Sequence, residues 1–225
     1  MQQLRNGLLV MLALAVATPV LAAGGGSVGG SAPTEQRVKR TPEQSAIRHY
    51  NAGLKRRDKA EKYLADAAER EGNARSKREA KAAKQFEKAA KEFEKAIGYR
   101  PDFYQAHGSL GYAYRKLGRY DESLAAYNRS LSLNPEYAEA IEYRAEAYLG
   151  LNRIDAAQEA YMDLFRRQRD LADQLMVAMS AWVDQRSSEP GDLAPERVEA
   201  FAAWVAERGE LAGQTQPMGQ VSRDW

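Results

Sequence analysis

Two histidines, His49 and His107, are the side chains of this chain best suited to moving a proton or holding a metal. Neither has the company that such work needs. No Ser/His/Asp set, phosphate loop or metal-ligand spacing emerges from the 225 residues. Acidic pairs such as Asp121-Glu122 stand at helix starts, where carboxylates satisfy free amides and the helix dipole. The glycines from Gly24 to Gly30 lack the lysine and the following Ser/Thr with which a phosphate loop grips its ligand, so they form a linker. The chain has no cysteine. That excludes disulfides, thiol catalysis, thiolate zinc sites and lipid attachment through an N-terminal cysteine. Asn128-Arg129-Ser130 is a glycosylation sequon, which would matter only in a eukaryotic secretory route and reads as a chance occurrence on an exposed helix face. No catalytic residue, metal ligand or cofactor is expected, and the chain does not read as an enzyme.

Small and aromatic residues instead recur with a period of 34. Leu110, Gly111 and Tyr114 are followed by Ser123, Tyr127 and Pro135. At the same offset come Arg144, Ala145 and Tyr148, then Ala157 and Tyr161. Ala106/Ala140, Leu117/Leu151 and Asp121/Asp155 keep that offset too. A helix pair of this length cannot bury its apolar face alone, so copies must stack.

The elements that hold these residues are helical throughout. Arg5, an uncharged run with its apolar core at Leu8–Val16, the breaker Pro19 and the exit Val20-Leu21-Ala22 describe a secretory leader, residues 1–23, whose apolar core is too short to span a bilayer. Residues 24–41 are a Gly/Ser-rich flexible linker. Thr41, Pro42 and Gln44 mark a helix start with a capping box. Apolar residues at three-and-four spacing then predict two long antiparallel helices, about 43–71 and 75–98, reversing at Gly72-Asn73. Two short pairs follow, about 103–116 with 120–132 and 137–149 with 154–168. Gly118 marks the first turn, Gly150 and Asn152 the second, while Pro101 and Pro135 separate the pairs. Further helices are expected at about 170–186 and, opened by Pro195, to about 208. The last residues to Trp225 read as a loose tail.

These residues resemble the tetratricopeptide repeat, with W-x-x-L-G-x-x-Y in its first helix, A-x-x-x-F in its second and a closing proline. One copy reads His107, Leu110, Gly111 and Tyr114, then Ser123, Tyr127 and Pro135. The next reads Ile141, Arg144, Ala145 and Tyr148, then Ala157 and Tyr161, with Arg169 where proline would stand. Upstream, Ala52-Gly53 with Arg56 and Ala89-x-x-x-Phe93 with Pro101 look like an altered copy, both of whose helices are lengthened by about three turns into an Ala-rich, Lys/Arg-rich finger. Downstream, Leu175, Ala178, Met179 and Trp182 with Ala200 and Trp204 look like a degenerate terminal copy. The resemblance implies an all-α fold, a right-handed tetratricopeptide-like solenoid of antiparallel helix pairs. Its expected parts are an elongated helical hairpin (42–101), two repeats (102–135 and 136–169), a capping helix pair (170–210) and a tail (211–225). His49 and His107 then fall where the repeat places a bulky packing residue.

In this family the inner surface comes from the first helix of each repeat. Carried over by position, the resemblance implies a partner-binding groove of Gln105, Gly108, Tyr112, Arg115 and Lys116 from one repeat and Glu139, Glu142, Tyr143 and Glu146 from the next. Some members clamp a peptide's terminal carboxylate with Lys, Asn and Arg there. Tyr50, Leu54, Ser109, Glu139 and Tyr143 occupy those places, so that clamp is absent. The implied function is a non-enzymatic scaffold for a protein or peptide partner. Export without cysteine points to a bacterial periplasm, with no nucleic acid as partner and membrane association only through an uncleaved leader. Charge is split along the chain: residues 55–95 carry 14 Lys/Arg against 9 Asp/Glu, and residues 96–225 carry 14 against 20. Self-association of the basic finger with the acidic repeats of a second copy is therefore the alternative.

Overall fold

The computed structural model describes residues 40–189, Gly191 and residues 193–214. The expected leader, the linker as far as residue 39 and the tail from residue 215 to Trp225 lie outside the described residues.

Helix α1, Pro42–Ala68, starts on the expected capping box: the Gln44 N–H donates to Thr41 Oγ1, and the Thr41 N–H donates to Gln44 Oε1, both at 3.2 Å. Its buried residues are Ala46, Gly53, Ala60 and Ala67. That is a strict seven-residue repeat of small side chains, which lets a second helix approach closely along the whole length. Helix α2, Gly72–Tyr99, supplies Ala82, Phe86, Ala89, Phe93 and Ala96 to the same seam. Both helices run unbroken through Asp58 and Phe86, and at 27 and 28 residues they reach about 40 Å. The reversal comes a little earlier than the spacing predicts. Gly72 alone takes a left-handed backbone, φ 52°, and Asn73 already belongs to α2.

Four shorter helices follow: α3 (Tyr104–Lys116), α4 (Tyr120–Leu133), α5 (Ala138–Gly150) and α6 (Ile154–Arg167). Every end of the α5–α6 pair lies 34 residues after its counterpart in α3–α4. The turns match as well. Gly118 (φ 73°) and Asn152 (φ 58°) take the left-handed conformation, and the N–H of the next residue, Arg119 or Arg153, reaches back to the carbonyl of Tyr114 or Tyr148 at 2.9 and 2.8 Å. These bonds satisfy helix-end carbonyls that would otherwise have no partner. Gly150, expected in the turn, is the last residue of α5.

Within each pair one small residue decides the spacing. A Cβ on Gly111 would stand 2.8 Å from the Tyr127 ring, and Ser123 Oγ donates to the Gly111 carbonyl at 2.8 Å. Tyr127 and Tyr161 are fully buried. The base of the long hairpin repeats this device, with Phe93 packed on Gly53.

Helices α7 (Arg169–Ser188) and α8 (Pro195–Gln214) close the core. Leu175, Met179 and Trp182 are buried as the terminal copy requires, and Trp182 Nε1–H donates to the Leu149 carbonyl at 2.8 Å. The second half of that copy is corrected. Ala200 is exposed, and Phe201 fills the site, 5.4 Å from the Trp182 ring in an edge-on contact. Helix α8 also runs on to Gln214, beyond the residue 208 expected. Arg169 donates to the Ala212 carbonyl there at 2.5 Å, supplying a partner for one of the last carbonyls. No helix among the described residues is long and apolar enough to cross a membrane.

Candidate protein-binding face

The first helix of each pair contacts the first helix of the next, α1 with α3, α3 with α5 and α5 with α7. The second helices make no comparably close approach to one another. A row tight on one side and spread on the other must curve, with α1, α3, α5 and α7 on its inner side.

On that side α3 and α5 present the residues that the repeat pattern selects. The Tyr112 and Tyr143 rings meet edge to face at 5.0 Å. The Arg115 guanidinium lies 5.2 and 5.5 Å from their centres and forms an ion pair with Glu146 across the two repeats. Lys116 Nζ stands 5.5 Å from the Tyr112 ring. Burial works against the Arg115 cation, but the Glu146 carboxylate and the Tyr127 and Tyr112 phenols outweigh it and raise its pKa further. Tyr112 is likewise pushed far up, first by burial and then by Glu61 beside it. Its phenol therefore keeps its proton and donates it to Glu61 Oε1 at 2.5 Å.

Five of the selected residues thus form one cluster: Tyr112, Arg115, Lys116, Tyr143 and Glu146. Gln105 and Glu139 lie apart, near the starts of α3 and α5, half-buried and exposed respectively. Glu142 is only 3% exposed and presents no surface to a partner. Gly108 is buried too, under the Tyr137 ring. Tyr112 and Tyr143, both placed in the implied groove, are half-buried in the cluster that they help to build.

Several contributors lay outside the carried-over pattern. Glu61 and Phe86 come from the long hairpin, Phe86 at 6.2 Å from Tyr112. Val177 of α7 stands 34 residues after Tyr143 and is 71% exposed. The period alone marks Val177, whereas nothing in the sequence pairs Glu61 with Tyr112 across 51 residues.

Residues 104–137, from the start of α3 to the approach of α5, match a family model described as the tetratricopeptide repeat. The match covers the α3–α4 pair and identifies that pair as similar to a tetratricopeptide repeat. No curated protein matches it. Tetratricopeptide repeats serve as protein-protein interaction scaffolds and are typically non-enzymatic. The two histidines are engaged structurally. His107 Nε2 lies 3.0 Å from the Pro101 carbonyl, and His49 bridges to Glu92 at 2.7 Å while stacking on Tyr99. No group of three His/Cys/Asp/Glu side chains that could hold a metal occurs among the described residues.

Proposed function

We propose that this chain is an exported tetratricopeptide-repeat scaffold of the cell envelope, binding a protein or peptide along the inner side of α1, α3, α5 and α7. The observation that carries this reading is the Tyr112–Tyr143–Arg115–Glu146 cluster. It locks two repeats into a fixed floor, and the inner-side helices add exposed side chains of three chemical kinds: Lys116 at the cluster's edge, Glu139 at the start of α5 and Val177 on α7. A rigid floor with an apolar anchor and charges of both signs suits a peptide, since little entropy is lost in ordering the receptor. The leader-like residues 1–23 support export.

A photo-crosslinking residue placed at Glu139 or Val177 tests the reading in cells that make the full chain. The same protein should be captured from both positions and not from Arg129, an exposed residue of α4 on the outer side. Capture from Arg129 alone would overturn the assignment of the face.

A further inference from the structure

Six lysines of α2 follow one another at alternating steps of four and three residues: Lys77, Lys81, Lys84, Lys88, Lys91 and Lys95. With 3.6 residues per turn they fall within roughly 40° of a single line, forming a stripe about 27 Å long. All six are exposed. Of these, Lys95 alone has an ion pair among the described residues, to Glu92 at 2.6 Å. Lys81 Nζ stands 6.0 Å from the centre of the Tyr63 ring, and Lys59 of α1 stands at the same distance. The α1 row of Lys55, Lys59 and Lys62 therefore adjoins the α2 stripe on one side of the hairpin. Carboxylates at its edges are largely engaged already: Asp66 by Arg70 and Arg78, Glu79 by Arg75, and Glu92 by His49 and Lys95. Glu87, between Lys84 and Lys91, is the exposed exception.

Like charges three and four residues apart weaken a helix, and from Lys77 to Lys91 no internal ion pair offsets them. The anions that suit this face come from outside. A second copy is a weaker source, because several carboxylates of its acidic half are already held by arginines: Glu122 by Arg119, Glu136 by Arg167, Asp155 by Arg197 and Asp173 by Arg169. Those left exposed, such as Glu139, Glu159 and Asp170, are scattered over separate helices. Nucleic acid is disfavoured too. The face offers lysine point charges instead of arginine forks, and its one aromatic ring, Tyr63, is half-buried and not an exposed platform for bases. A planar sheet of headgroups meets both rows at once. Half-buried Tyr63 between Lys59 and Lys81 has the amphipathic character found at headgroup level. No large apolar side chain projects from the stripe, so contact would lie on the bilayer and not in it.

We propose that the lysine face of the α1–α2 hairpin docks on the surface of an anionic lipid bilayer.

Flotation of the full-length protein tests this with vesicles of phosphatidylcholine alone and the same vesicles with a third of the lipid replaced by phosphatidylglycerol. The neutral vesicles account for any apolar contribution of the leader. Partition should favour the anionic vesicles and weaken as salt is added. A lysine near such a surface changes partition by about fivefold, so combined Lys84→Gln, Lys88→Gln and Lys91→Gln should lower it roughly a hundredfold. The corresponding arginine variant should retain binding, and thermal melts should show both variants folded. Equal partition on the two vesicle types, or a glutamine variant that binds like the original, overturns the proposal. So does tighter binding to a short DNA duplex, or a salt-sensitive dimer that needs these three lysines.

Discussion

Replacing Glu146 by leucine leaves the Arg115 guanidinium facing two aromatic rings with no carboxylate beside it. The side chains of the pair are 10% and 23% exposed. It therefore stands between a fully buried bridge, where loss of one partner costs about 3–5 kcal/mol, and a surface bridge worth less than about 1 kcal/mol. We expect Glu146→Leu to cost about 2 kcal/mol, which for a chain of this size lowers the melting midpoint by about 4–8 °C. Removing both charges with Arg115→Met and Glu146→Leu should return most of that loss, because apolar side chains of similar volume fill the site. A double-mutant cycle from urea melts should give a coupling of about 1–2 kcal/mol. Added salt should barely change it, as ions screen a half-buried pair poorly. A single variant as stable as the original protein, or a double variant whose loss equals the sum of the singles, would refute the inter-repeat clamp.

Other expectations follow from close approaches, turns and titration. Gly111→Ala puts a methyl group into the Tyr127 ring and should cost about 1–3 kcal/mol in a chemical melt. Gly98→Ala in α2 meets no atom within 4 Å and should stabilise by about 0.5–1 kcal/mol. Asn152→Ala should destabilise by about 1 kcal/mol while Asn152→Gly does not, because φ of 58° suits glycine and strains alanine. Burial pushes the Glu92 carboxyl up, but bonds from Lys95 and His49 outweigh it and hold its pKa below the ordinary value. A carboxyl whose pKa falls on folding stabilises the protein above its unfolded pKa, and that contribution is lost as pH drops through the folded value. Glu92→Gln should flatten the acid limb of stability plotted against pH, leaving neutral stability less affected in shape than in height. Sequencing the N-terminus of protein recovered from cells should place the start just after Ala22 or Ala23.

Legibility of the fold in the sequence followed the strictness of local rules. The 34-residue period specifies helix ends in α3 to α6 because one small-against-aromatic contact, Gly111 on Tyr127, repeats with the chain's own register. The capping box at Thr41 was readable for the same reason: it needs only residues three apart. Helix α8 was harder. Phe201 and Ala200 are neighbours, and a pattern that tolerates either cannot tell which one turns inward until the Trp182 ring is in place. Its end was missed because Arg169, 43 residues away, caps the Ala212 carbonyl. At the candidate site the positions were readable but their exposure was not. Whether Glu142 faces a partner or the core depends on how far α5 is rotated against its neighbours. The lysine stripe of α2 was legible as spacing, yet the interleaved glutamates hid it until the structure showed which carboxylates were already engaged.

The scaffold reading rests on which side of the helix row meets the partner. Calorimetric titration of the full chain with the protein captured from Glu139 and Val177 tests this most directly. Val177→Asp and Lys116→Glu should each weaken binding at least about tenfold, consistent with loss of one interface anchor, whereas Arg129→Glu on the outer side should leave the affinity unchanged. Undiminished binding by both inner-side variants, with loss on changing Arg129, would contradict it.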